Sequence, residues 1–403
     1  MLSPSILHIL DHSLPLVSGY SIRSRDIMAA QVQLGWRVAA ATGKRHSHAG
    51  PAFEVHDSLD YYRLASPELR GSGVGVCQLW AEIQGLARHI EAVARHMRPD
   101  ILHAHSPALT GVAAAIAARR LGLPLVYEVR AFWEDAAVAN GQTQMASLRY
   151  RLSRWLENWV LGQADAVIAI CAGLAADICG RGVAADKVTI VPNAVRSDLC
   201  PVPEPDPDLA ADLGLTNRDV LAFIGSLYAY EGVADLIAAM PDIVAQHPRA
   251  ALLIVGDGPE AGQLRRAIAH SPAAAHIQML GLVPPESVAR LYSLAQVMVY
   301  PRQSLRLTEL VTPLKPLEAM AMSKPVALSA VGGHRDLLGS AQTAFVFPPE
   351  NPKALAATLL SALQDPALCR ARALAGQAHV AAHHTWQTNV HHYHPVYHRL
   401  VKQ

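Results

Sequence analysis

Short apolar runs alternate with alanine-rich helical stretches in two successive series, a pattern that leaves few architectures open to this chain. The first series places strands at 6–10, 36–41, 101–104, 125–129, 166–170 and 188–191. Helices fall between them at about 24–34, 79–97, 111–121 and 147–161. The proline-rich run from Cys200 to Pro207 has no periodicity and reads as a linker. The second series places strands at 220–224, 251–255, 277–280, 295–300, 326–330 and 344–347, with helices at 234–240, 260–269 and 352–362. Strand–helix alternation implies α/β domains with parallel sheets. A length of 403 residues is too much for one ordinary core, so two such domains are expected.

Composition narrows the function. Half the residues are apolar and only 17% are charged, as in a compact enzyme. A net charge of +1 offers no basic face, so a nucleic-acid partner is not expected. The five cysteines are scattered without a C-x-x-C pair and suit a reducing compartment. His8, Asp11 and His12 interrupt the first apolar run, so no signal peptide is expected, and no run reaches membrane-spanning length. His391, His392, His394 and His398 read as surface or packing residues, and no metal is expected.

Most of the chemistry sits between Tyr300 and Gly333. A strand ends there in a loop carrying Arg302, Arg306, Glu309 and Lys315. Pro313 and Pro316 then open a helix containing Glu318, which Pro325 stops. After a short strand, Gly332 and Gly333 open another loop. Lys315 lies where the helix dipole disfavours a cation, and a bound phosphate would reverse that preference. The alternative is a solvated loop in which Glu318 complements the dipole.

In the first series, Gly19 and His105 both fall at C-terminal strand ends, where open α/β sheets bind ligands. Gly19 reads equally as a plain turn. Arg130 directly follows a strand and precedes Glu134 and Asp135. Its planar fork is suited either to bind a phosphate-like anion bidentately or to pair with one of those carboxylates. The 147–161 helix carries Arg149, Arg151 and Arg154 beside Leu148, Leu152, Trp155, Leu156 and Trp159. Such a helix can lie on an anionic membrane, but core packing is the preferred reading.

The wording RLTELVTPLKPLEAMA, with Pro325-Val326 and Gly332-Gly333 after it, resembles the donor-site segment of retaining family 4 glycosyltransferases. RAFWED at 130–135 is similar to the branch associated with exosortase A systems and exopolysaccharide loci. The resemblance implies the GT-B fold, in which two Rossmann-like domains face each other across a cleft. They would span 1–198 and 199–385, with 386–403 returning to the first domain as a helix, kinked or broken at Pro395. The implied donor is a nucleotide diphosphate sugar, and no metal or other cofactor is required. The implied acceptor is a glycan or lipid-linked glycan, reached in the cytoplasm, and a lipid-linked acceptor would entail peripheral contact at the inner membrane face.

Carried residue by residue, the resemblance gives Glu318 the ribose and Glu309 the donor sugar. Glu309 stands one residue farther from Glu318 than usual, with Leu310 at the aligned position. Gly19, Gly225 and Leu282 would bring backbone to the donor. Ser226 and Glu231 stand where the family has its arginine and lysine. Lys315 and Arg306, helped by Arg302 or Arg130, are expected to replace that basic pair at the diphosphate. His105 and Arg130 would serve the acceptor side, with Glu134 and Asp135 as further acceptor candidates. Chemistry on the donor alone, as in an epimerase or hydrolase-like relative, and a silent sugar-nucleotide-binding subunit are the alternatives.

Overall fold

The computed structural model describes residues 3–16, 18–46, 50–64, 75–196, 204–338 and 342–401. The chain divides into two compact units, 1–192 with 386–403, and 193–385. Residues 200–203 of the proline-rich run lie outside the described residues. Its last part, Asp206-Pro207, starts the Pro207–Asp212 helix, with the Asp206 carboxylate accepting the Leu209 N–H.

Unit 1 holds strands β1 (Ser5–Leu10), β2 (Arg37–Thr42), β3 (Phe53–His56), β4 (Leu59–Arg63), β5 (Ile101–His105), β6 (Leu125–Val129), β7 (Ala166–Ala169) and β8 (Val188–Ile190). Their order in the sheet is β3-β4-β2-β1-β5-β6-β7-β8, parallel except for the β3–β4 hairpin. Strands such as β6 and β7 are buried along their whole length, as expected where parallel strands are covered on both faces. The sheet grows from β1 toward β2 and then from β1 toward β5, so its switch point lies between β1 and β5. Register sets His8 beside His103 and His105 beside Glu128.

Unit 2 holds β9 (Asp219–Ile224), β10 (Ala250–Val255), β11 (Ile277–Gly281), β12 (Val297–Tyr300), β13 (Val326–Ser329) and β14 (Phe345–Phe347). They form a fully parallel sheet in the order β11-β10-β9-β12-β13-β14. Its switch point lies between β9 and β12. Ligands of open α/β sheets bind outside the carboxyl ends of the strands at such points. In unit 2 those ends lead into Gly225 directly after β9 and into Pro301-Arg302 after β12.

Several expectations change. The Leu148–Gln163 helix does not bury its tryptophan stripe. Tyr150, Glu157, Val160 and Leu161 face the core, whereas Leu148 is 70% exposed, Leu152 57% and Trp155 62%. Gly332 and Gly333 begin the Gly332–Leu338 helix rather than a loop. A Cβ on Gly332 would lie 2.3 Å from the Glu309 carbonyl oxygen, so only glycine fits there. Pro395 kinks nothing: it falls in the first turn of the Tyr393–Val401 helix, where its missing N–H costs no bond. The break comes earlier, as a 3-10 turn at Val390–His392. The β3–β4 hairpin and the Pro366–His383 helix had no counterpart in the sequence reading.

Candidate functional site

In unit 2 the switch point gathers a buried charge cluster. Glu231, in the 3-10 turn Ala229–Glu231, is only 2% exposed. It accepts from the Lys315 ammonium at 2.7 Å and from Arg302 Nη2 at 3.1 Å. Burial would push the Glu231 carboxyl up, but the two cations outweigh it and hold it at about 2. Burial pulls Lys315 below the ordinary lysine range, opposed by Glu231. The position expected to lack a positive charge therefore carries a negative one, and that carboxylate orients the cations proposed to compensate.

Lys315 is pinned from several sides. Its carbonyl accepts from the Tyr300 hydroxyl at 3.1 Å, and its ammonium lies 5.2 Å from the centre of the Phe223 ring. The chain passes so close to Gly225 that a Cβ there would sit 2.3 Å from Lys315 Cε. Gly225 also has φ +148°, a conformation few other residues adopt. This glycine is thus favoured by its own backbone, and a side chain there would displace the lysine.

The remaining expected donor residues spread along the same strand ends. Gly225 N–H bonds the Val255 carbonyl and Gly256 N–H the Gly281 carbonyl, which sets the turns after β9, β10 and β11 side by side. Ser226 is exposed, and Leu282 is 79% exposed just past β11. Glu309 bridges two segments: one carboxylate oxygen accepts from the Ser304 hydroxyl at 2.7 Å and the other from Gly332 N–H at 2.7 Å. An ionised carboxylate has further lone pairs, so these bonds leave acceptor capacity. Arg306 and Glu318 are half-buried in the first turns of the Arg306–Leu310 and Lys315–Ala321 helices.

Elsewhere in unit 2, an open depression of about 460 Å³ lined by Asp206, Arg218, Gln296 and Lys324 lies at the opposite strand ends. The Lys324 ammonium there already donates to the Ser293 and Ala295 carbonyls.

In unit 1 the switch point is filled by a hydrogen-bonded stack whose directions are fixed by one donor-only group. Arg130 Nη2 donates to His105 Nδ1 at 2.8 Å, so the His105 proton is on Nε2 and points to His8 Nδ1 at 2.8 Å. His8 Nε2–H then donates to Gln31 Oε1 at 2.8 Å, and Gln31 Nε2 donates to the Tyr397 hydroxyl at 3.2 Å. Tyr397 donates to His103 Nδ1 at 2.6 Å, which leaves His103 Nε2–H facing Glu128 Oε2 at 3.4 Å. Glu128 also accepts from Arg23 and from the Tyr393 hydroxyl.

Burial holds all three histidines below the usual imidazole range, His8 to about 3, in keeping with neutral rings. Burial alone would raise Glu128, but the Arg23 guanidinium beside it holds it well below the ordinary carboxylate range.

This geometry corrects several expectations. His105 is fully buried with both nitrogens committed, and so does not face a substrate. The Arg130 guanidinium is spent on the Tyr20 carbonyl, Ser24, His105 and Glu128 rather than on a phosphate. Nor does Arg130 pair with Glu134 or Asp135. Glu134 bonds Arg181 at 2.8 Å and Asp135 accepts from the Tyr150 hydroxyl at 2.9 Å; both are buried, as parts of the packing rather than acceptor contacts. Gly19 is exposed at the first position of the Gly19–Gln33 helix, which Ser18 caps. One ring nitrogen from each of His8, His103 and His105 lies within 4.8 Å of the other two. His103 and His105 stack, five of the six ring nitrogens are hydrogen-bonded with His103 Nε2 the exception, and Arg130 touches His105, a setting that opposes a bound cation.

Residues not singled out from the sequence complete the unit 1 stack. Tyr393 and Tyr397 approach from the terminal segment, and Arg23 and Gln31 from the first helix. The one sequence signal for this set was a carboxylate, Glu128, inside the apolar run 125–129.

Two family models match. Residues 18–194 match the glycosyl transferase 4-like domain and residues 207–379 match glycosyl transferases group 1. The chain is similar to the alpha-maltose-1-phosphate synthase of Mycolicibacterium smegmatis, 25% identical over 81% of this chain and 84% of that protein. A sucrose-phosphate synthase from Thermosynechococcus elongatus superposes with a TM-score of 0.78 at 22% identity, covering 99% of each chain. The Anabaena protein HepE, solved in complex with UDP-glucose, gives 0.74 at 17% identity over 98% of this chain and 100% of that one. With two parallel-sheet α/β units as its frame, the chain carries a glycosyl transferase 4-like domain followed by a group 1 glycosyl transferase domain, and it is a glycosyltransferase of the GT-B fold.

Proposed function

We propose that this glycosyltransferase moves a sugar from a nucleotide diphosphate donor to a hydroxyl on a glycan or lipid-linked glycan, with retention of configuration and without a metal. The observation that carries the donor reading is the convergence of Lys315 and Arg302 on the β9–β12 switch point beside Gly225. As the glycosidic bond lengthens, charge builds on the departing diphosphate, and fixed cations stabilise it without reorganising. Lys315 takes that role with Arg302 and Arg306, so no divalent ion is needed for it. Glu318 holds the ribose and Glu309 orients the donor sugar. His105 and Arg130 act one step removed, by fixing the strand ends of unit 1 that shape the acceptor side.

The wording of the Arg130–Asp135 and Arg306–Ala321 segments supports a place in bacterial exopolysaccharide assembly, in the exosortase-associated branch, at the cytoplasmic face of the membrane. HepE was solved with UDP-glucose, which makes a uridine nucleotide sugar the first donor to try.

A thermal-shift panel of sugar nucleotides tests the donor, since a specific ligand raises the melting temperature by mass action. Lys315→Ala should then lower turnover on the stabilising donor by more than about tenfold with the circular dichroism spectrum unchanged. Wild-type turnover in that variant would remove the phosphate role. The anomeric configuration of the product, read by NMR, decides retention. The partial neutralisation of the cations by Glu231 favours a second reading, a subunit that binds sugar nucleotide without transferring it. A donor that shifts the melting temperature but yields neither transfer nor hydrolysis with any glycan acceptor would support that reading.

A further inference from the structure

The outer face of the Leu148–Gln163 helix sets this chain's sequence against the surface it presents. Leu148, Leu152, Trp155 and Trp159 recur at i, i+4, i+7 and i+11, which aligns them in one stripe along the helix. The stripe is open to solvent, with Leu148 70%, Trp155 62% and Trp159 36% exposed. Met145, just before the helix, is 56% exposed. A stripe of large apolar side chains left in water is a contact surface awaiting an occupant. The opposite face already serves the core through Tyr150, Val160 and Leu161, so this is a second apolar stripe on the same helix.

The charges beside it restrict what the occupant is. Arg149 and Arg151 are exposed and Arg154 is half-buried. The helix has a single carboxylate, Glu157, and it is buried against the Tyr127 hydroxyl at 2.8 Å. The outward surface of the helix is therefore apolar and purely cationic. A second copy of the chain would set arginine against arginine, with no carboxylate on this helix to answer them. An anionic lipid surface answers both features. Leucine and tryptophan enter the headgroup–acyl boundary, and arginine reaches the lipid phosphates. No helix among the described residues is long and apolar enough to cross a membrane, so the contact is one that lies on the bilayer.

We propose that this helix docks unit 1 on an anionic phospholipid bilayer, with Leu148, Leu152, Trp155 and Trp159 inserted and Arg149, Arg151 and Arg154 against the headgroups. The contact does not depend on which sugar the chain transfers.

Flotation of the full chain with vesicles of phosphatidylcholine alone, or with about 30% phosphatidylglycerol, tests it. The wild type should float with the anionic vesicles and stay behind with the neutral ones, and raised salt should release it. At about fivefold in partition per arginine, Arg149→Glu with Arg151→Glu should cut binding by at least about twentyfold. Leu152→Ser with Trp155→Ser should abolish it at unchanged charge. All four positions are exposed, so the fold should survive, as circular dichroism would verify. A wild type that does not float with anionic vesicles overturns the proposal. So does undiminished flotation of both double variants. Self-association that the serine variant abolishes, without vesicle binding, would overturn it in favour of a protein interface.

Discussion

Replacing Glu231 with glutamine should destabilise unit 2 and, at the same time, tighten its hold on a nucleotide diphosphate. The stability side follows from linkage. The Glu231 carboxyl is held at about 2 against an ordinary 4.5. A depressed carboxyl contributes its full stability above its unfolded value and loses it as pH falls toward the folded one. The gap corresponds to on the order of 3 kcal/mol. Breaking a buried ion pair from one side costs a similar amount, roughly 3–5 kcal/mol, because the partner charges are left uncompensated. Lys315 keeps some exposure, which places the expected loss near the lower end.

The binding side has the opposite sign. Glu231 opposes any anion that Lys315 and Arg302 attract. A unit charge about 8 Å from a phosphate oxygen is worth roughly 2 kcal/mol at an effective dielectric constant of about 20. After screening by salt, about tenfold tighter binding of the diphosphate is expected. Urea unfolding followed by circular dichroism measures the first quantity. Fluorescence would miss it, because all six tryptophans lie in unit 1. Titration calorimetry with a nucleoside diphosphate measures the second. The wild type should also lose unit 2 stability between about pH 4.5 and 2 more steeply than Glu231→Gln. A variant as stable as wild type, or one that binds the diphosphate more weakly, would refute the assignment of Glu231 as the group that restrains the two cations.

Further outcomes are expected elsewhere. Gly225→Ala should displace Lys315 and impose backbone strain, costing about 1–3 kcal/mol of unit 2 stability and weakening diphosphate binding; unchanged binding would show that Lys315 need not pass there. Glu318→Gln should mainly raise the donor Michaelis constant, and an unaltered value would remove Glu318 from the ribose. In unit 1, His8 is held at about 3 against an ordinary 6.5. Its contribution is complete above the unfolded value and shrinks as pH falls below about 6.5. Urea midpoints read by tryptophan emission should therefore drop from pH 6.5 toward 4, and a flat profile would contradict the neutral stack. Glu128→Gln should cost roughly 3–5 kcal/mol by leaving Arg23 buried without its carboxylate, measured by the same emission.

The alternation of apolar runs and helices placed the central strands of both sheets, because parallel strands buried on both faces leave an unmistakable signal, as at β6 and β10. The β3–β4 hairpin lies at a sheet edge, where Phe53, Glu54 and Val55 are partly exposed, and its pattern is correspondingly weak. The Leu148–Gln163 helix was misassigned because periodicity reveals a stripe without saying which way it faces, and this helix has two. The Tyr300–Gly333 segment was legible as a charged turn beside a helix. What the sequence could not show was the partner of Lys315, since Glu231 is remote in the chain and the strand order of unit 2 brings it close. The same holds for His105 and Arg130, whose roles are decided by neighbours on four separate elements.

The tyrosines that close the buried network of unit 1 have a consequence for how the molecule is made. Tyr393 and Tyr397 are translated after the whole of unit 2, yet they supply hydrogen bonds to Glu128 and His103 near the centre of the earlier sheet. On the ribosome, a nascent unit 1 must wait with an ionised glutamate and a histidine incompletely matched while nearly two hundred further residues emerge. A fragment ending at Pro192 would keep that defect for good. Adding a synthetic peptide of residues 386–403 should mend it in trans.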